Sequence, residues 1–95
     1  MIIKVTDILH SANGKGKYRE SKVGEKYENR KNRLYVVDFN ILSYCGGLEM
    51  FNITEDKHLT GRAIWTTEYE GHEIDGDNIE IYTWNSIYVG KILDK

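Results

Sequence analysis

The chain has no proline, a single cysteine and only two alanines, Ala12 and Ala63. With Ile, Lys, Asn and Tyr abundant, this is the bias expected of an AT-rich genome, and it suits a low-GC bacterium or one of its phages. The lone Cys45 excludes an intramolecular disulfide and agrees with a reducing compartment. No apolar run approaches the roughly 20 residues that span a bilayer, so neither a transmembrane helix nor a membrane partner is expected. Met1, Ile2 and Ile3 meet charge at Lys4 too soon for a signal peptide, which makes the cytoplasm the expected location. His10, His58 and His72 are scattered without metal-ligand spacing, so no metal and no cofactor is expected. Cys45 lacks a recognisable base or oxyanion donor and reads as a buried or idle thiol.

What is present is a globular balance, 40% hydrophobic and 29% charged, over 95 residues, enough for one modest core. The expectation is one domain, 1–95. A chain this short spends most of its apolar side chains on closing that core, which puts a binding role ahead of an enzymatic one. The net charge of −2 conceals a split. Before Tyr35 stand nine basic residues against four acidic; from Tyr35 onward, four against eleven. Such asymmetry fits either a basic surface for an anionic ligand or complementary faces that meet within the fold or between subunits. The acidic second half argues against a general nucleic-acid binder.

Alternation dominates the chain. Ile2 to Leu9 reads as a first strand with Ile3 and Val5 on one face. Tyr18 to Arg33 is polar and weakly periodic, with a short strand expected near Lys22 to Tyr27. Leu34 to Phe39 is apolar on both faces, the pattern of a central strand covered on both sides or lying at a subunit contact. Leu48 to Ile53 resumes alternation after Gly46-Gly47, giving a hairpin with the preceding strand. Thr54 has the hydroxyl to cap one helical turn over Thr54 to Lys57. Arg62 to Tyr69 and Asn78 to Val89 flank Asp75-Gly76, a strong hairpin signal. Asn78 to Val89 reads as one long strand whose apolar face is interrupted by Thr83 and Asn85. No window keeps a helical apolar pattern over three turns. The expected fold is mostly β, a small twisted antiparallel sheet or partial barrel with little helix, self-associating through an exposed edge or the strand around Val36 and Val37.

Two constellations have chemical content. Pairing across the Asp75-Gly76 turn gathers Thr66, Thr67, Thr83, Asn85 and Ser86, flanked by Trp65, Trp84 and Tyr88. Two readings fit: polar groups that bond one another or the backbone at a strand kink, or a polar pocket that stacks and bonds a base-like or aromatic ligand. The second constellation is the Asn13 to Arg19 loop, whose backbone amides and the cations Lys15, Lys17 and Arg19 suit an anion. It lacks the spacing and following helix of a phosphate-binding P-loop, and a solvated basic loop is the alternative. No acid, base and nucleophile set is visible, so no enzyme is expected.

Gly61 to Thr67 followed by Ile79 to Tyr88 resembles the C-terminal part of small, uncharacterised bacterial and phage proteins with a Thr-[Thr/Ser] strand and a closing T-x-N-S-x-Y strand. The resemblance covers about a third of the chain, implies a compact β fold and implies no activity. Thr66-Thr67 stands where a Thr-Ser pair is more usual, and the basic first half has no counterpart there.

Together these readings predict a non-enzymatic binding protein, encoded by a phage or mobile element, that sequesters an anionic nucleotide or oligonucleotide to counter a host defence. Its ligand-binding residues are expected to be Lys15, Lys17, Arg19, Trp65, Thr66, Thr67, Thr83, Trp84, Asn85 and Tyr88. The alternative is an inhibitor that engages a host protein through an acidic surface, as a nucleic-acid mimic or partner blocker.

Overall fold

The computed structural model describes residues 1–11 and 20–94, so the loop with Lys15, Lys17 and Arg19 lies outside the described residues. Six strands follow one another around a closed antiparallel barrel: β1 (Ile2–His10), β2 (Leu34–Val36), β3 (Gly47–Ile53), β4 (Leu59–Asp75), β5 (Asn78–Thr83) and β6 (Ser86–Ile92). The last strand returns to pair with the first, from Ile3 opposite Ile92 to His10 opposite Ser86. The mostly β fold with little helix is as expected, and closure is complete rather than partial. Closure leaves no strand of the sheet without two neighbours, which removes the edge-pairing hazard of small β proteins.

Alternation decides what fills the barrel. Ile3 and Val5 point inward from β1, and a bulge between Val5 and Asp7 then shifts the phase so that Ile8 is the next residue inside. Asp7 stabilises that irregularity by accepting the Ile8 amide at 2.8 Å. Tyr35 and Val37, Leu48 and Met50, Ile64, Ile79 and Ile81 complete the core. Each large apolar side chain buried there contributes roughly 1.5–3 kcal/mol. β4, at 17 residues, would reach about 56 Å if straight. The longest dimension of the molecule is 36 Å, so the strand has to coil. It does so where its register slips between Tyr69 and Gly71, pairing with β3 before that point and with β5 after it. At Gly47 a Cβ would sit 2.0 Å from the Thr66 carbonyl oxygen, so only glycine lets β3 approach β4 this closely.

Several local expectations change. The hairpin at Asp75-Gly76 forms, with Asp75 opposite Asn78 and Gly76 supplying φ 60°, but its first strand begins at Leu59 rather than Arg62. His72 lies within that strand opposite Ile81. The run from Asn78 to Val89 is two strands rather than one long one. Trp84 and Asn85 form a corner, β5 and β6 pair with Tyr82 opposite Ile87, and inward parity passes from odd residues to even ones. The strand expected near Lys22 to Tyr27 is instead a single bridge at Ser21 followed by the four-residue helix α1 (Glu25–Glu28). Leu34 to Phe39 contributes only three residues to the sheet, and Val36 faces outward half-exposed rather than covered. Thr54 does accept a backbone amide, from His58 at 3.1 Å, but in a β3–β4 turn rather than a helix. Cys45 is exposed.

Candidate anion site at the barrel mouth

Inward-facing positions at the end of a barrel strand cannot all be apolar, because they meet solvent. At one end of this barrel those positions are Arg33 and Tyr35 at β2, Asn52 on β3 and Arg62 on β4. Together with Lys26, Asn29 and Arg30 from α1 and the turn after it, they line a hollow of about 260 Å³. Asn52 is fixed in place: its amide donates to the Leu34 carbonyl at 2.9 Å, and its Oδ1 accepts the Thr60 hydroxyl at 2.8 Å. Lys26, Arg33 and Arg62 have no carboxylate partner among the described residues. A larger outer hollow, about 580 Å³, shares Arg33 and Asn52 with the mouth.

Tyrosines hold the cover on this mouth. Tyr27 of α1 packs against the core, with the Lys22, Lys26 and Arg30 cations 5.1, 5.7 and 5.9 Å from its ring centre. Arg30 donates to the Tyr88 hydroxyl at 3.2 Å, and its carbonyl accepts the Tyr35 hydroxyl at 3.4 Å. Burial pushes the Tyr35 and Tyr88 phenols above their ordinary pKa; the Arg30 cation opposes this at both, and Arg33 at Tyr35, without cancelling it. Both phenols therefore stay neutral at physiological pH and leave the mouth positive.

Those of the expected site residues that are described are not gathered into such a hollow. Thr83 is fully buried; its hydroxyl accepts the Ser86 amide at 3.1 Å and donates to the Ser86 carbonyl at 3.0 Å. The Thr67 hydroxyl accepts the Asn85 amide at 3.1 Å, while that of Thr66 accepts the Leu48 amide at 2.9 Å and donates to the Thr67 carbonyl. Each of these three hydroxyls is bonded to backbone groups. Trp84 is half-exposed at the corner, and Trp65 stands 75% exposed on the outer face of β4. Of the seven expected residues that lie among the described ones, Tyr88 touches a residue of the mouth, through Arg30. Arg33, Asn52 and Arg62 were missed as a set because long-range register brings them together. The available signal was their phase: Arg33 shares parity with Tyr35, Asn52 with Met50, and Arg62 with Ile64.

At the far end of β4 the character reverses. Glu73 lies directly opposite Glu80, and both carboxylates accept from the Tyr82 hydroxyl, at 3.2 and 2.9 Å. Burial first, then the Glu80 and Glu73 charges, drive the Tyr82 phenol well above its ordinary pKa. Nearby, Phe39 stacks on His72 with ring centres 3.9 Å apart, and the Tyr69 hydroxyl bonds the His72 Nδ1. Among the described residues no group of three or more His, Cys, Asp or Glu is arranged to hold a metal, and no helix is long and apolar enough to cross a membrane.

Fold and mouth together define a six-stranded antiparallel barrel with a cationic opening. Compared with protein-family models, curated proteins and solved structures, the chain matches none.

Proposed function

We propose that this protein is a non-enzymatic binder that sequesters an anionic nucleotide or oligonucleotide, and that the anion sits at the barrel mouth. The observation that carries this reading is the convergence of Lys26, Arg33 and Arg62, none with a carboxylate partner among the described residues, on one concave surface beside the fixed Asn52 amide. Guanidinium groups held at a strand end present forked donors that match phosphate oxygens, and the neutral phenols add no competing charge. A service to a phage or mobile element against its host is supported by the composition bias.

Isothermal calorimetry against linear and cyclic nucleotides and short oligonucleotides tests it. At least one is expected to bind, and absence of heat for every member overturns the proposal. Charge-assisted hydrogen bonds are worth about 1.5–3 kcal/mol each. The double variant Arg33→Ala, Arg62→Ala should therefore weaken binding by at least about a hundredfold. Its thermal midpoint should be nearly unchanged, because neither side chain has a carboxylate partner among the described residues.

A second reading, an inhibitor acting through an acidic surface, is favoured by the Glu73–Glu80 pair. Like charges directly opposite in a sheet are unfavourable, and this pair adds to the acidic surface of the hairpin.

A further inference from the structure

A closed barrel has no free edge to offer, so any self-association uses an outer face, and one outer face of this molecule is self-complementary. Cross-strand register places Ile2, Val36 and Phe51 side by side on β1, β2 and β3. Phe51 is 43% exposed and Val36 half-exposed, so this apolar row lies on the surface. Lys4 projects from β1 one two-residue step to one side of the row, opposite Leu34. Glu49 projects from β3 one step to the other side. Neither charge has a side-chain partner among the described residues. Val36, Ile41 and Phe51 floor a hollow of about 300 Å³ whose acidic rim is Asp38 and Glu49.

We infer that this face binds a second copy of the chain around a two-fold axis. Lys4 and Glu49 stand on opposite sides of Val36, each one strand and one step away. An axis lying in the face, over Val36 and perpendicular to the Lys4–Glu49 diagonal, sets each Lys4 against Glu49 of the other copy. The same operation carries Phe51 onto Leu34 of the other copy. The aliphatic stem of Lys4 then crosses the apolar hollow while its ammonium meets the acidic rim, the arrangement long cationic side chains favour at an apolar surface. Such a contact is isologous, so each pairing occurs twice and the assembly closes as a dimer. The inference is independent of the barrel mouth and uses none of its cations.

Sedimentation velocity on the full chain over 1–500 μM tests it. The wild type should shift from monomer to dimer with rising concentration, and Phe51→Asp should abolish the shift. Lys4→Glu and Glu49→Lys should each weaken the dimer at least tenfold, since each creates two like-charge contacts. Mixing these two variants in equal amounts should restore the dimer, because every contact then pairs opposite charges. Far-ultraviolet circular dichroism of each variant checks that the barrel is intact. A wild type that stays monomeric at every concentration overturns the inference and leaves the face to another partner. A dimer indifferent to the three substitutions, or unrestored by mixing, overturns it equally.

Discussion

Asp7 shows how one side chain can hold an irregularity that the strand pattern alone would not. Its carboxylate accepts from the Ile8 amide and from the Ser21 hydroxyl, both at 2.8 Å, and lies 3.4 Å from the Lys31 ammonium. Partial burial acts to raise its pKa, but the Ser21 and Ile8 hydrogen bonds and the Lys31 charge outweigh it, so the group titrates below the ordinary carboxylate value. A depressed carboxyl contributes stability that is complete above the unfolded pKa, about 3.9, and is lost as pH falls through the folded one. Asp7→Asn should therefore lower stability at pH 7 by about 1 kcal/mol, the scale of a net hydrogen bond. The gap to wild type should begin to narrow below about pH 4 and go on narrowing as pH falls through the lower folded pKa of Asp7. Urea midpoints for both proteins at pH 7 and pH 3 check this; a gap as wide at pH 3 as at pH 7 contradicts it. Arg33 and Arg62 of the mouth behave differently: with no carboxylate partner among the described residues, their removal should leave those midpoints nearly unmoved.

The corner between β5 and β6 is the element on which sequence and structure differ most. Tight two-residue hairpins usually need positive φ, which is why Asp75-Gly76 was legible. Neither Trp84 nor Asn85 has positive φ. The corner is closed instead by side chains and by neighbouring strands: the Thr83 hydroxyl bonds both backbone groups of Ser86, and the Trp84 amide donates to the Glu68 carbonyl. No local pattern encodes a turn made that way. The polar interruption of the apolar face at Thr83 was its trace, and it was legible only as an interruption. Thr83→Val should strand the buried Ser86 amide and cost about 1–3 kcal/mol. Thr83→Ser keeps the hydroxyl and should cost only about 0.8 kcal/mol for the lost methyl. Denaturant midpoints with unchanged slopes would show this order; equal losses would mean that the hydroxyl does not close the corner. Elsewhere alternation sufficed, because Ile3, Val5, Leu48, Met50, Ile79 and Ile81 each obey a period of two within a strand. The mouth was illegible for the opposite reason: Arg33, Asn52 and Arg62 are adjacent only once Tyr35 pairs with Asn52 and the barrel closes.

The charge split along the chain becomes, at the scale of the molecule, a separation in space. Arg62 and Asp75 lie near opposite ends of β4, and the longest molecular dimension is 36 Å. That dimension bounds the separation between the mouth and the acidic hairpin, and at a separation of roughly 30 Å exposed charges stand apart by several times the Debye length of about 8 Å at physiological ionic strength. At that salt the two ends act independently, and the hairpin acids neither assist nor oppose an anion at the mouth. At 0.01 M ionic strength the Debye length grows to about 30 Å and the ends interact. Three neutralised acids acting on a ligand of three or four negative charges across about 30 Å of water then amount to roughly 0.5 kcal/mol. The triple variant Glu70→Gln, Asp75→Asn, Asp77→Asn should thus bind a nucleotide triphosphate about twofold more tightly at 0.01 M ionic strength, and no differently at 0.15 M. Calorimetry at the two salts measures both arms. An inhibitor working through its acidic surface behaves otherwise. Neutralising the hairpin would remove its partner's contact outright, at 0.15 M as well as at low salt, while nucleotide binding at the mouth stayed as it was. The same three substitutions therefore separate a cationic barrel that captures an anion from an acidic arm that captures a protein.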